Sequence, residues 1–327
     1  MKVIPSSLKK ILRRIPDIRI LVVGDVMVDH FIWGKVDRIS PEAPVPVVQV
    51  ASESKMPGGS ANVAHNLISL GAEVGLVGIT GQDSNSKELI HLLRQKKIYT
   101  HGILSLPDRI TTKKTRIIAH SQQVVRVDWE QPQDLDVKTE NLVIKHLRKL
   151  IPLHDAVVLE DYGKGLMTQA VLDEAVRLCR QKGIFCSFDP KIGHDLNFKG
   201  VSLCTPNLQE ASYLAKTHGI GAMPENGGQL REALGVDHLL VTLGEKGMGL
   251  FSRDFSPYQI QAAAREVYDV SGAGDTVISV FTASAVAGAK PFEAAFLSNI
   301  AAGIVVGKLG TAVVTIPEIE ASLSIPK

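Results

Sequence analysis

The sequence has 327 residues, 45% of them hydrophobic and 21% charged, enough for one large α/β domain or two smaller ones with a substantial buried core. Lys and Arg (36) nearly balance Asp and Glu (34), and a formal net charge of +2 gives no sign of a sequence-independent nucleic-acid binder, local basic clusters aside. Cys179, Cys186 and Cys204 stand in apolar surroundings without a CxxC pair, so buried reduced thiols are expected rather than disulfides or zinc, in keeping with a reducing cytoplasm.

The basic N-terminus (Lys9, Lys10, Arg13, Arg14) leads into the apolar run Ile18 to Gly24, which ends at Asp25 without a small-residue cleavage pattern, so no signal peptide is expected. That run predicts a strand buried on both faces. Ligands of open α/β sheets sit beyond the C-terminal ends of such strands, which makes Asp29 either a substrate contact or a solvated loop acid. From His30 to Val50 three prolines (Pro41, Pro44, Pro46) exclude helix, while Phe31, Trp33 and the β-branched residues favour strands. A small sheet projecting from the main body is expected, as a lid or a dimerisation surface; a Pro-rich connector is the alternative.

Pro57 to Ala64 (PGGSANVA) opens an amphipathic helix ending at Gly71. Gly58 and Gly59 permit close backbone approach to a ligand, and Asn62, one turn in, can exchange hydrogen bonds with a sugar hydroxyl; a turn capped by Ser60 is the alternative. Val74 to Thr80 predicts a strand, Asn85 to Lys97 a helix, and Thr111 to His120 with Gln123 to Trp129 a hairpin added to the projecting sheet. Arg116 and Arg126 on that hairpin suit bidentate phosphate recognition or are surface charges.

After a helix at Asn141 to Leu150 the pattern alternates: strand Ala156 to Leu159, helix Thr168 to Gln181, strands Ile184 to Phe188 and Val201 to Cys204, helix Leu208 to Lys216. Alternation of this kind implies right-handed crossovers and a parallel sheet. Polar groups gather at the strand ends: Glu160, Asp161 and Lys164, then Asp189 and Lys191, then Thr205 to Glu210, in a register that marks a cleft. Asn207 and Glu210 share one side of a helix start, where the carboxylate can hold Mg²⁺ through water, or the two can simply cap the helix. Leu239 to Gly247 reads as a strand and turn suited to lining a nucleotide, with Thr242 and Gly244 as contacts.

In Asp269 to Thr276 (DVSGAGDT), Gly272, Ala273 and Gly274 turn successive N–H groups into one concavity at the positive end of the apolar helix Val277 to Ala289. Asp275 beside such an anion seat makes sense as a base for a hydroxyl attacking a phosphate; an acid complementing the helix dipole is the other reading. A second apolar helix, Phe292 to Lys308, carries Asn299 as a neighbour of a base or as a satisfied core amide. Both apolar stretches stop at Lys290 and Lys308, short of a membrane span. Gly303 to Leu309 lacks the spacing and hydroxyl of a Walker A loop, and neither GxGxxG after the first strand nor HExxH is present.

PGGSANVA and DVSGAGDT, in this order and separation, resemble the two signatures of the ribokinase, or PfkB-type, carbohydrate kinases. GDVMVD (Gly24 to Asp29), RISPEAPVPVV (Arg38 to Val48), EVYDVSGAGDTV (Glu266 to Val277) and AAGIVVGKLGT (Ala301 to Thr311) are similar, within that family, to the heptose 7-phosphate kinases. Val270 replaces the Thr usual in the wider family, and Ser271 stands where Thr is common.

The resemblance implies a single α/β kinase domain over residues 1–327: a ribokinase-like three-layer α/β/α core on a mostly parallel sheet, with lid segments at about 30–50 and 111–129. It implies transfer from ATP, with Mg²⁺, to the anomeric hydroxyl of D-glycero-β-D-manno-heptose 7-phosphate, on the route to ADP-heptose for lipopolysaccharide core. Asp275 is then the base and the N–H groups of Gly272, Ala273 and Gly274 stabilise the transferring group. Asp29, Gly58, Gly59, Asn62 and Asp161 face the sugar, and Arg116, Arg126 and Lys164 its 7-phosphate. Lys191, Asn207, Glu210, Thr242, Gly244 and Asn299 serve ATP and its metal, with Asp269 and the Ser271 carbonyl as a potassium-type site. The lid is expected to exclude water and pair two subunits as a homodimer. The sequence has no His-x-Gly-His motif, so no C-terminal nucleotidyltransferase domain is expected.

Overall fold

The computed structural model describes residues 4–120, 122–263, 267–308 and 310–323. The apolar run at the start of the chain forms β1 (Arg19–Gly24), whose side chains are buried on both faces from Ile20 onward, as a central parallel strand requires. After one residue, Asp25, the chain enters β2 (Val26–Ile39) and returns on β3 (Pro46–Gly59). Then come β4 (Glu73–Gly81), β5 (Tyr99–Leu106), β6 (Lys113–Ala119), β7 (Gln122–Trp129), β8 (Ala156–Glu160), β9 (Phe185–Asp189), β10 (Leu203–Cys204), β11 (His238–Thr242), β12 (Met248–Ser252) and β13 (Tyr258–Ile260). They form a nine-stranded sheet, ordered β13-β12-β11-β10-β9-β8-β1-β4-β5, and a four-stranded sheet, ordered β3-β2-β6-β7. The large sheet is parallel from β11 to β5; β12 and β13 extend it antiparallel.

Helices cover both faces of the large sheet. They are α1 (Pro5–Leu12), α2 (Ser60–Ser69), α3 (Ser84–Gln95), α4 (Val137–Leu150), α5 (Gln169–Lys182), α6 (Leu208–Thr217), α7 (Gly227–Leu234), α8 (Ala273–Val286), α9 (Pro291–Val305) and α10 (Ile316–Leu323). One apolar core lies on the face of Ile20, Val22 and Val158 under α1, α2, α8 and α9; another lies on the face of Leu21, Val23 and Val157 under α4 and α5. Helix α8 is buried on nearly every side because α2, α9, β8 and β9 all pack on it.

The projecting sheet is larger than the sequence pattern suggested. It begins at Val26 rather than His30, and β3 continues to Gly59, so Asp29, Gly58 and Gly59 lie on paired strands instead of in loops. Pro46 and Pro57 fit because β3 is an edge strand, where a missing N–H costs no ladder bond. Strands Lys113–Ala119 and Gln122–Trp129 confirm the hairpin; Ser121 in its turn lies outside the described residues. Helix α8 starts four residues before the expected Val277 and ends at Val286, which places Asp275 inside its first turn. Strand β10 keeps only Leu203–Cys204 of the expected 201–204. Strands β5, β12 and β13 and helices α1, α7 and α10 were not anticipated.

Candidate active site

The two glycine-containing stretches meet where α2 packs against α8. Gly272, with φ +79°, turns the chain into α8, and Asp275 follows in the first turn. Its Oδ2 accepts a hydrogen bond from Asn62 Nδ2 (2.7 Å) on α2, and its Oδ1 accepts one from the Tyr162 hydroxyl (2.8 Å). Asn66, one turn after Asn62, braces the pair: its amide donates to the Asn62 carbonyl (3.0 Å), and its Oδ1 accepts from Thr276 Oγ1 (3.0 Å). Burial pushes the Asp275 carboxyl above the usual carboxylate range, and the bonds from Asn62 and Tyr162 oppose that rise.

The small sheet brings its own polar face to this point. Asp29, 4% exposed, pairs with Arg116 Nη1 at 2.5 Å, and the Arg116 guanidinium lies 5.3 Å from the Phe31 ring centroid. A Cβ on Gly58 would overlap the Asp29 carboxylate, so only glycine lets β3 pass there. Arg126 stands opposite Arg116 on β7, 49% exposed, with its Nε 3.0 Å from Asp128 Oδ1. Lys164 Nζ is 2.9 Å from Glu130 Oε1, and Lys114, which sequence reasoning passed over, reaches Asp128 and Glu130 at 3.6 Å each. The cations expected at a phosphate are thus gathered here, each matched with an acid.

On the other side of Asp275, carboxylates converge from the strand ends. Glu160 on β8 is fully buried, and neither of its oxygens has a hydrogen-bond partner. Burial, then the charges of Asp189, Asp275, Glu210 and Asp161, push its carboxyl well above the ordinary value. Asp189 is pushed up too, by burial and by Glu210, although Thr205 Oγ1 donates to it at 2.9 Å. Asn207 and Glu210 form a reciprocal capping box at the start of α6: Asn207 Oδ1 accepts from the N–H groups of Gln209 and Glu210, and Glu210 Oε2 accepts from that of Asn207. Lys191 is exposed and its charge acts on both Glu210 and Asp161. Asn207 also bridges to Thr242 at the end of β11, beyond which Gly244 opens a short 3₁₀ turn.

Three expected contacts are engaged elsewhere. Asp161 is held by His194 Nδ1 (2.6 Å) and the Gly163 N–H (2.8 Å). Asn299 donates to the Gln261 carbonyl (2.8 Å), the satisfied core amide of the two readings. Asp269 accepts from the N–H groups of Ser271 (2.9 Å) and Gly310 (3.2 Å), tying the turn before α8 to the loop after α9; about half of the carboxylate's lone-pair sites remain free for a cation. Two partners were missed altogether: Tyr162, an aromatic in a polar loop, and Asp25, which sits between β1 and β2.

The site therefore combines a held carboxylate at a helix N-terminus, a small sheet bearing paired cations and a fully buried acid, Glu160, without a hydrogen-bond partner. A model of the pfkB family of carbohydrate kinases matches residues 17–319. The chain belongs to that family. It is 41% identical over 307 residues to the bifunctional protein HldE of Desulfatibacillum aliphaticivorans and 42% identical over 308 residues to that of Wolinella succinogenes, covering 93% and 92% of this chain. It spans 63% of the length of either relative. Its fold is that of the ribokinase of Thermotoga maritima (TM-score 0.73, 22% identity, 94% of this chain and all of that one). The phosphofructokinase-2 of Escherichia coli, solved in complex with potassium, shares it too (TM-score 0.75, 17% identity, 94% of this chain and all of that one).

As a pfkB sugar kinase the protein is a phosphotransferase that binds ATP, for which a divalent metal is the usual companion. The residues fit such an ion: the buried Glu160 carboxylate, with both oxygens orphaned, calls for positive charge. Among the described residues no three His, Cys, Asp or Glu side chains are arranged to hold a metal directly. Among the described residues, too, no helix is long and apolar enough to cross a membrane.

Proposed function

We propose that this kinase phosphorylates the anomeric hydroxyl of D-glycero-β-D-manno-heptose 7-phosphate, giving the 1,7-bisphosphate used for ADP-heptose and lipopolysaccharide core. The observation that carries the reading is the position of Asp275, between the N-terminus of α8 and the basic face of the small sheet. Asp275 takes the proton of the sugar hydroxyl as its oxygen attacks the γ-phosphate of ATP, while the N–H groups of Gly272 and Gly274 face the transferring group; that of Ala273, expected there too, donates to the Val270 carbonyl (3.2 Å). Asp29, Gly58, Gly59 and Asn62 hold the sugar, and Arg116, Arg126 and Lys164 hold its 7-phosphate. Lys191, Asn207, Thr242 and Gly244 line the nucleotide site. Glu210 holds the metal through water; bound there, the ion offsets phosphate charge and that of Glu160 and Asp189. Asp269 and the Ser271 carbonyl form a potassium-type site, like the ion named for the phosphofructokinase-2 neighbour.

The small sheet closes over the sugar and excludes water. Its other face exposes Val125, Val127 and Trp129 at alternate positions of β7, an apolar stripe that supports pairing with a second subunit. The reading is tested by ADP release from ATP and Mg²⁺ with heptose 7-phosphate, fructose 6-phosphate, ribose or no sugar, each alongside Asp275→Asn. Turnover with heptose 7-phosphate alone, lost in the variant, is expected; turnover with another sugar would keep the chemistry and change the acceptor.

A further inference from the structure

The loop 161–166, between β8 and α5, is buried or half-buried along its length and is held by side chains from several distant segments. Asp25, 2% exposed, accepts three of its backbone N–H groups: Tyr162 (3.2 Å), Lys164 (2.9 Å) and Leu166 (3.1 Å). Asp161 grips the Gly163 N–H and His194 from inside the loop, and the Arg109 guanidinium donates to the carbonyls of Lys164 and Gln133. A buried carboxylate that accepts three N–H groups holds the backbone at those points, because any shift strands a charge without partners. The side chain this scaffold presents to Asp275 is that of Tyr162, whose hydroxyl donates to Oδ1 at 2.8 Å.

We propose that Tyr162 is the positioning residue of Asp275: the loop clamped by Asp25 carries its hydroxyl to one carboxylate oxygen while Asn62 holds the other. The rotamer and the charge of the base are thereby set before the sugar arrives. The inference rests on the reading of Asp275 as that base. Each oxygen keeps a lone pair for the acceptor hydroxyl, so holding the carboxylate at both ends does not block it. Of the acids around Asp275, Asp29 from β2 raises its carboxyl, and Asp275 in turn raises those of Glu160 from β8 and Asp189 from β9. Helix α2 contributes the neutral Asn62 and Asn66, and the one charged residue of α9, Glu293, lies in its first turn, at the far end of α8. Two neutral donors therefore offset burial and the charge of Asp29. The phenol of Tyr162 is itself pushed up by burial and by Asp275, so it keeps its proton and donates.

The test compares Tyr162→Phe with the wild type in kcat and KM across pH, with ATP, Mg²⁺ and whichever sugar gives turnover. Expected are an unchanged KM for ATP, a kcat lower by up to about 10²-fold, and an acid limb moved up by about one pH unit. Added to Asp275→Asn, the same change should cost nothing further. 3-Fluorotyrosine at position 162 keeps the shape, strengthens the donor and should move the limb down, which covers a Phe variant that folds poorly. ¹³C NMR of the aspartate carboxyls in the sugar-free protein, with Asp275 assigned from Asp275→Asn, reads the same shift without turnover. A failure of the kinase reading thus leaves the positioning role open to decision. An Asp275 titration that is the same with Tyr and Phe at position 162, or a rate loss as large in the Asp275→Asn background, would overturn the proposal.

Discussion

Arg116 on β6 donates to Oδ1 of Asp29 on β2 at 2.5 Å, a pair formed 87 residues apart in sequence and only 16% and 6% exposed at the two side chains. In the proposed complex the sugar hydroxyls take Asp29 and the 7-phosphate takes Arg116, so binding replaces one ion pair by two polar contacts. Arg116→Gln removes a charge-assisted bond to phosphate, for which about 1.5–3 kcal/mol corresponds to a roughly 10- to 100-fold rise in KM for the phosphorylated sugar. KM for ATP should not move. Arg126→Gln should cost less, since that guanidinium is half-exposed and already shared with Asp128. Steady-state kinetics with each substrate varied decides; unchanged sugar affinity in both variants would remove the phosphate from this face.

Burial holds Asp275 above the ordinary carboxylate range, and a base works only when ionised. Turnover should therefore fall as pH drops through a value above about 3.9, where an unperturbed Asp titrates. Asp275→Asn should abolish that limb and lower kcat by roughly 10²- to 10⁴-fold. A pH–rate profile with an acid limb that persists in the variant would assign the limb, and the base, to another group.

What was legible in the sequence was local. Ile18 to Gly24 announces a central strand because an unbroken β-branched run has no polar face, and the glycines around Ala273 announce a helix start. Asn207 and Glu210 are readable as a cap because both partners lie within one turn. The rest depended on distant pairings. Nothing near Asp29 says that β1 passes into a second sheet through a single residue, or that Asp25 would bind a loop about 140 positions away. Tyr162, an aromatic in a polar loop, shows no role until its hydroxyl is seen at Asp275, and the isolation of Glu160 depends on charges from four other positions.

Glu160 leads to a prediction on stability. Its folded-state carboxyl sits well above its unfolded value, so the folded protein binds the proton more tightly than the unfolded chain does. The stability this contributes is full below the unfolded value near 4.5 and is lost as pH rises toward the folded one. Glu160→Gln, neutral at all pH, should melt progressively higher than wild type as pH rises from 5 to 8 without nucleotide or metal. A difference of about 1–2 °C at pH 8 corresponds to roughly 1 kcal/mol for a chain of 327 residues. Differential scanning calorimetry across this range checks it; a constant offset would mean that the carboxyl does not change charge on unfolding.

Gly272 and Gly274 flank Ala273 but answer different questions. At Gly272, φ +79° is strained for any side chain and an added Cβ would sit 2.8 Å from the Asn62 amide that holds Asp275. Gly272→Ala should cost about 1–2 kcal/mol in stability from the left-handed backbone and also displace Asn62. Loss of activity there cannot separate folding from chemistry. At Gly274 an added Cβ meets nothing within 4 Å and the backbone is helical, so Gly274→Ala should hold or raise stability, by up to about 1 kcal/mol. The open space beside it is where the transferring phosphate is proposed to lie. A Gly274→Ala protein that melts no lower than wild type yet loses turnover would place the phosphate against the start of α8; full activity would put it elsewhere.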